Sequence, residues 1–116
     1  MTSGLTCTWV VEDGVARVAI DGDLEFATTG TLLRLVTDRL AGPASVHEVR
    51  LDCAGIGFCD SSGLSELMKV LHVAADAGAR LHLDNRQPAL DRLLTRTGTA
   101  GYLTGEAVIS RARRDS

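Results

Sequence analysis

The segment Val49–Leu71, VRLDCAGIGFCDSSGLSELMKVL, decides the fold of this 116-residue chain. Charged and apolar residues alternate in its first part, which predicts a strand over Val46–Cys53. Gly55 and Gly57 then predict a loosened loop. The last part has apolar residues at helical spacing, namely Leu64, Leu67, Met68 and Leu71. The segment therefore predicts a buried strand, a loop and an amphipathic helix.

The joint between the predicted loop and the predicted helix carries Asp60, Ser61, Ser62, Gly63 and Leu64. The first backbone N–H groups of a helix have no partner inside the helix, and the helix dipole is positive there. Asp60 and both serines are therefore good N-cap candidates. The same groups would stabilise a phosphate carried by a serine. The residues alone leave two roles open, a cap or a phosphorylation switch, and favour the cap.

The N-terminal part of the chain predicts a β-hairpin. Two short runs rich in β-branched residues, Cys7–Val11 and Val15–Ile20, flank the turn sequence Asp13-Gly14. The acidic run Asp21–Glu25 then predicts an exposed loop. Its three acids could form a cation site, but such a cluster is more often a solvated surface.

The rest of the chain alternates predicted helices with predicted strands. Besides the central unit these are a helix from Ala27–Thr29 to Gly42-Pro43, a strand over Arg80–Asp84, a helix from Pro88 to Gly98, a brief strand at Tyr102-Leu103 and a helix over Glu106–Arg113. Strands that alternate with helices run parallel and are joined by right-handed crossovers. We therefore predict one α/β domain over residues 1–116, with a mixed sheet of four to five strands, about four helices and a frayed tail at 111–116.

Composition argues against several classes of function. The formal net charge is −3 and aromatic residues make up 3% of the chain, so neither a basic stripe nor stacking residues indicate nucleic acid. No apolar run is long enough to span a bilayer, and the N-terminus lacks the basic start and apolar segment of a secretory signal. Three cysteines are an odd set that fits a reducing cytosol, so we expect a cytoplasmic protein.

No catalytic or cofactor motif is recognisable in the sequence. A phosphate-binding loop requires Gly-Lys-Ser/Thr, whereas the single lysine, Lys69, lies inside a predicted helix. A serine nucleophile requires a strained elbow and a base beside it, and neither frames Ser61. Cys53 and Cys59 lack the spacing and the further ligands that zinc prefers, so both are expected to be small core residues. We therefore predict no catalytic residue, no metal and no cofactor.

The central segment resembles the signature of the STAS domain found in bacterial anti-sigma factor antagonists. The matching residues are Leu51-Asp52 and Phe58-Cys59-Asp60-Ser61-Ser62-Gly63-Leu64. Upstream, Gly22-Asp23-Leu24-Glu25 is similar to the family's Gly-Glu-Leu-Asp. Downstream, Ala89–Leu94 and Thr97-Gly98 resemble the family's third helix and its end. The likeness covers nearly the whole chain, and the order of the predicted elements agrees with it.

The sequence departs from the family pattern in three ways. The acids Asp23 and Glu25 are exchanged, in a loop that the resemblance places near the phosphoserine. Cys59 stands where the family usually has Met, Leu or Ile, which indicates packing. Thr99–Gly101 replaces an apolar residue, so the last strand is expected to be displaced. None of the three departures removes Ser61, which the resemblance implies is the phosphoacceptor.

The resemblance implies a protein that is modified and binds a partner but catalyses nothing. It implies that Ser61 is the phosphoacceptor, which leaves Ser62 and Gly63 to start the helix. The unphosphorylated form is expected to bind an anti-sigma factor that is a serine kinase, and so to regulate transcription in a stress response. Phosphorylation breaks the complex, and a PP2C-type phosphatase restores it. The expected switch surface comprises Asp23, Glu25, Asp60, Ser61, Ser62, Gly63 and Leu64.

A second interpretation keeps the fold and drops the switch. Related domains serve as scaffolds in stress-sensing assemblies or as small subunits bound to a lipid-transport ATPase, and there the serine would be only a cap. An enzyme is the weakest of the three interpretations. In every case we expect no nucleic acid and no membrane contact, and a monomer or weak dimer when the protein is alone.

Overall fold

The computed structural model describes residues 4–98, which form a four-stranded mixed sheet and three α-helices. The elements are β1 (Leu5–Glu12), β2 (Val15–Leu24), a short 3₁₀ helix (Phe26–Thr28), α1 (Thr31–Leu40), β3 (Glu48–Cys59), α2 (Ser61–Asp76), β4 (Arg80–Asp84) and α3 (Pro88–Thr97). The strand order is β1-β2-β3-β4, with β1 antiparallel to β2 and the other three strands parallel. The predicted mixed α/β fold is confirmed. The strand predicted at Tyr102-Leu103, the helix predicted over Glu106–Arg113 and the predicted frayed tail lie outside the described residues.

The N-terminal hairpin forms as its turn sequence predicts. Asp13 and Gly14 have φ angles of 54° and 78°. Positive φ at both central residues is the geometry of the two-residue turns whose twist matches that of the flanking strands. Glu12 accordingly pairs with Val15 directly across the turn.

Alternation along the strands gives the sheet one buried face and one exposed face. Val18, Leu51 and Leu83 are neighbours across β2, β3 and β4, and all three are buried. Ala19 and Asp52, the next residues along their strands, are paired with each other and exposed. On the buried face α2 contacts β2, β3 and β4, while α1 contacts α2 and β1. The core of the described residues is aliphatic, as the low aromatic content predicts.

Strands β2 and β3 are both longer than the sequence predicts. The run Asp21–Glu25 was expected to be an exposed loop, but β2 continues to Leu24, which is fully buried. The loop expected around Gly55 and Gly57 is instead the end of β3, which continues to Cys59. Both expectations were wrong because the two strand ends pair with each other beyond the end of β4, with two register shifts. We call this extension the β2–β3 ribbon; it comprises residues 21–24 and 55–59, and β1 also pairs with its first two residues on β2.

Gly55 permits the close pairing within the β2–β3 ribbon. A Cβ atom added at Gly55 would lie 2.6 Å from the carbonyl oxygen of Ile20. Since real Cβ atoms do not approach so closely, the backbones can meet here only at a glycine. The glycine that suggested a loosened loop therefore marks a close backbone approach.

The first α-helix begins later than the expected start at Ala27–Thr29. The 3₁₀ helix occupies this region, and α1 begins only at Thr31. Between them Gly30 has a φ of 99°, in the left-handed region that favours glycine. The chain thus makes a separate turn before α1, next to the start of α2.

Candidate functional site

The joint between β3 and α2 lies at the end of the β2–β3 ribbon. The backbone N–H of Asp60 donates to the carbonyl oxygen of Leu24 over 3.2 Å. The Asp60 carboxylate accepts from the N–H of Gly63 over 3.0 Å and from the N–H of Phe26 over 3.4 Å. Asp60 therefore caps α2 and also ties the start of this helix to the 3₁₀ helix.

The two serines of the joint have different surroundings. Ser61 is the first residue of α2 and is exposed, and among residues 4–98 its hydroxyl makes no hydrogen bond. Ser62 is half-buried. The expectation that Ser62 and Gly63 start the helix was wrong by one residue, because the cap is the carboxylate of Asp60, directly before Ser61.

Gly63 lies where α2 meets the backbone of β2. A Cβ atom at this position would lie 2.2 Å from the carbonyl oxygen of Leu24, so a side chain would push α2 away from the ribbon. The next residue, Leu64, is 8% exposed and belongs to the hydrophobic core. These two members of the expected switch surface are therefore buried, and they position Ser61.

Asp23 and Glu25 lie at the end of β2, and both are half-buried. The Asp23 carboxylate lies against Gly57, where an added Cβ would be 2.7 Å from Oδ1. Glu25 is the N-cap of the 3₁₀ helix, and its backbone N–H donates to the hydroxyl of Thr28 over 3.1 Å. That hydroxyl donates in turn to the carbonyl oxygen of Asp23 over 2.7 Å. The structure thus brings both acids to the strand end that contacts the start of α2.

Phe26 and Phe58 were not expected from the sequence to be part of the site. Their exposed fractions are 80% and 54%. Phe26 is bonded to Asp60 through its backbone N–H, and Phe58 precedes Asp60 by two residues on β3. Large exposed aromatic side chains close to one joint are typical of a contact surface. The available signal was their position, because Phe26 directly follows the predicted exposed loop Asp21–Glu25, and Phe58 lies in the loop predicted around Gly55 and Gly57.

Glu66 is a further residue that the sequence did not single out. It lies on the buried face of α2 and is 2% exposed. Its Oε2 accepts a hydrogen bond of 2.9 Å from the backbone N–H of Leu33, the third residue of α1. Gly30, the N-cap of α1, has no side chain to do this. The sequence did contain a signal for Glu66, because this acid lies between two residues of the apolar stripe, Leu64 and Leu67.

Two thiols, those of Cys53 and Cys59, lie on β3 before the joint. Burial raises the pKa of the Cys53 thiol to about 12 and that of the Cys59 thiol to about 11, so both stay protonated at neutral pH. Cys53 is buried as predicted, and Cys59 is half-buried. Over residues 4–98 no three His, Cys, Asp or Glu side chains are placed to hold a metal ion. In the same part of the chain, no helix combines the length and the apolar character that crossing a membrane requires.

The mixed sheet and the capped joint define a class of small α/β domain, in which a helix starts at Asp-Ser-Ser-Gly with the first serine exposed. The chain belongs to the STAS domain family. The family model described as "Mlab, STAS domain" matches residues 8–105. Comparison with curated protein sequences finds no match.

Several solved structures are similar to this chain. An anti-sigma factor antagonist from Mycobacterium paratuberculosis is 23% identical with a TM-score of 0.67, over 81% of this chain and 78% of that one. The anti-sigma factor antagonist SpoIIAA in its unphosphorylated form is 18% identical with a TM-score of 0.69, over 94% and 96% of the two chains, and its phosphorylated form matches as well. The murine anion transporter Slc26a9 is 18% identical with a TM-score of 0.66, over 82% of this chain and 18% of the transporter. At these identities the likeness establishes the fold, which antagonists and a transporter share.

Proposed function

We propose that this protein is an anti-sigma factor antagonist switched by phosphorylation of Ser61. In its unphosphorylated form it binds an anti-sigma factor that is a serine kinase, and phosphorylation releases that partner. The observation that carries the proposal is the exposed hydroxyl of Ser61 at the first position of α2, directly after the capping Asp60. A kinase requires an exposed hydroxyl, and a helix N-terminus stabilises the phosphate that results.

A phosphate at Ser61 can abolish binding without unfolding the domain. It adds about −1.5 to −2 charges at neutral pH, beside the carboxylate of Asp60. In the free protein, water and the start of α2 solvate these charges. A partner that packs closely on the joint must remove that water, which is costly for a dianion. The partner is therefore expected to dissociate while the fold persists.

The surroundings of Ser61 support docking of a protein partner. Phe26 and Phe58 offer exposed aromatic surface near the joint, which also carries the polar residues Asp60, Ser61 and Ser62. Aromatic anchors within a polar rim are typical of protein interfaces. We assign the contact surface to Asp23, Glu25, Phe26, Phe58, Asp60, Ser61 and Ser62, with Gly63 and Leu64 as its buried support.

The proposed cycle needs two partner proteins and no cofactor. The kinase modifies Ser61, and a PP2C-type phosphatase removes the phosphate. The chain itself catalyses neither step. Through the sigma factor that the kinase holds or frees, the protein would regulate transcription in the bacterial cytoplasm as part of a stress response.

The test begins with proteins that co-purify with the wild type but not with Ser61→Asp. The kinase found in this way is incubated with the antagonist and ATP, and mass spectrometry locates the phosphate. We expect phosphate on Ser61, none on Ser61→Ala, and at least tenfold weaker kinase binding by Ser61→Asp than by Ser61→Ala. Ser45→Ala is the matched control and should behave as the wild type, because this exposed serine precedes β3 and lies at the opposite end of that strand from Ser61. Phosphate at another residue, or none, would overturn the proposal.

A second candidate function is a STAS domain that binds its partner without a switch. The match to an anion transporter favours it, because this fold also occurs within a much larger protein that is not described as an antagonist. The protein would then be a scaffold of a stress-sensing assembly or a subunit of a lipid-transport ATPase, and Ser61 would serve only as part of the helix start. Identical co-purifying partners for the wild type and Ser61→Asp would favour this candidate, as would a large homo-assembly in size-exclusion chromatography.

A further inference from the structure

A groove lies beside Ser62, between the start of α1 and the first turns of α2. Its volume is about 250 Å³, and its walls include Phe26, Leu33, Ser62, Glu66 and Lys69. Phe26 and Ser62 also belong to the contact surface assigned above, so the groove is continuous with that surface. A partner docked on the joint would cover it.

The wall of this groove contains a carboxylate that is only half satisfied. Oε2 of Glu66 accepts from the N–H of Leu33, whereas Oε1 has no hydrogen-bond partner among the described residues. Leaving a buried carboxylate oxygen without a donor is unfavourable. Lys69, one turn further along α2, lines the same groove, but over residues 4–98 it forms no ion pair with Glu66. Glu66, a residue of the groove wall, therefore has a buried acceptor that no described residue occupies.

We infer that this groove receives an arginine side chain of the docked partner, whose guanidinium group donates to Oε1 of Glu66. The inference rests on the proposed function, because the partner is the protein that docks on the joint. Arginine fits better than lysine, since its guanidinium is planar, weakly hydrated and able to stack on an aromatic ring such as Phe26. Its methylene groups would lie against Leu33.

The charge of the region agrees with this occupant, and the groove wall can move to admit it. The neighbouring ribbon and joint carry Asp23, Glu25 and Asp60, so the region attracts a cation. Oε1 itself exposes less than 1 Å². Contact therefore requires a small movement of the wall, and Phe26 and Lys69 on that wall are exposed and lie outside the hydrophobic core.

The test uses N-acetyl-arginine amide as the probe, in a titration followed by ¹H–¹⁵N NMR of the whole chain. We expect saturable shifts of the amides of Leu33 and Glu66, with affinity at least fivefold higher than for N-acetyl-lysine amide. Glu66→Gln keeps an acceptor for the N–H of Leu33 but removes the charge, and should weaken arginine binding at least tenfold. Lys69→Met removes the neighbouring cation and should strengthen it.

Equal arginine binding by the wild type and Glu66→Gln would overturn the inference, as would the absence of saturable shifts. Circular dichroism checks that Glu66→Gln folds. If Glu66→Gln does not fold, the arginine affinity of Lys69→Met is the deciding measurement. An affinity equal to that of the wild type would then overturn the inference. Failure of the proposed function can be distinguished from failure of this inference. If arginine binding depends on Glu66 but no kinase modifies the protein, the inference about the groove holds and the proposed phosphorylation switch is wrong.

Discussion

The helices α1 and α2 satisfy their first backbone N–H groups in two different ways. Asp60 directly precedes α2 and accepts from the N–H of Gly63 over 3.0 Å. Gly30 precedes α1 without a capping side chain, and the N–H of Leu33 is bound at 2.9 Å by Glu66, which lies 33 residues away in the sequence. The first cap is local, whereas the second exists only when α1 and α2 are packed together. The helix start that carries Ser61 is thus locally determined, while the groove beside it depends on the assembled fold.

The largest effect is expected from Gly63→Ala, which tests the close packing of the start of α2 against β2. The new Cβ would lie 2.2 Å from the carbonyl oxygen of Leu24. We expect a loss of about 2–4 kcal/mol in the free energy of unfolding, measured by urea denaturation. Ser65→Ala, exposed on the same helix, should change it by less than about 0.5 kcal/mol. Since alanine is otherwise the better helix former, a more stable Gly63→Ala would show that α2 does not press on the ribbon.

Glu66→Ala tests the distant cap of α1, the hydrogen bond from the N–H of Leu33 to Glu66. The change leaves the N–H of Leu33 without its acceptor and opens a cavity between α1 and α2, so we expect a loss of about 2 kcal/mol. Amide hydrogen exchange of Leu33 should accelerate in parallel. Glu66→Gln is the matched control, and should cost less than about 1 kcal/mol because its side-chain carbonyl can still accept. A neutral Glu66→Ala would mean that the distant cap contributes nothing to stability.

The local cap is tested by Asp60→Ala, for which we expect a smaller loss of about 1 kcal/mol. Asp60→Asn should retain most of the stability, because its side-chain oxygen can still accept from Gly63. The two caps lie about 9 Å apart along α2, so the double variant with Glu66→Ala should be additive within about 0.5 kcal/mol. If the losses in the two single variants do not add up to the loss in the double variant, the two helix starts form as one unit. The distinction between a local cap on α2 and a distant cap on α1 would then be wrong.

The smallest effect is expected for Asp52, whose carboxylate belongs to neither helix start. It shows how much an exposed carboxylate contributes to stability without capping a helix. The side-chain amide of Asn85 and the N–H of Ala54 donate to Asp52, which lowers the pKa of its carboxyl group below 3.8. A folded-state pKa below the unfolded value means that the stabilisation is present above the unfolded pKa and is lost as the pH falls through the folded one. The urea midpoint should therefore fall slightly more between pH 5 and pH 3 in the wild type than in Asp52→Asn. Parallel curves would show that this exposed contact has no effect.

Local patterns in the sequence were sufficient for most of the secondary structure. The turn at Asp13-Gly14, the leucine stripe of α2 and the proline at the start of α3 each act over a few residues, and each appears as predicted. The ends of β2 and β3 were predicted wrongly. Acids and glycines in those segments favour loops, but pairing between the two segments satisfies their backbone groups. Such pairing joins residues distant in sequence and leaves no local signal.

The candidate site likewise has some features that are local in the sequence and others that depend on tertiary contacts. The cap and the exposed first-turn hydroxyl of the joint follow from the sequence alone, because both involve neighbours within one helical turn. The need for glycine at position 63 is tertiary, since it comes from the carbonyl oxygen of Leu24 in β2. Only the tertiary structure decided that Phe26 comes beside Asp60 and that Glu66 closes the start of α1. Within residues 4–98, this packing also leaves one oxygen of Glu66 without a hydrogen-bond donor. The physical reason is that these contacts are set by the packing of α1 and the ribbon on α2, which hydrophobic burial determines and which no short segment contains.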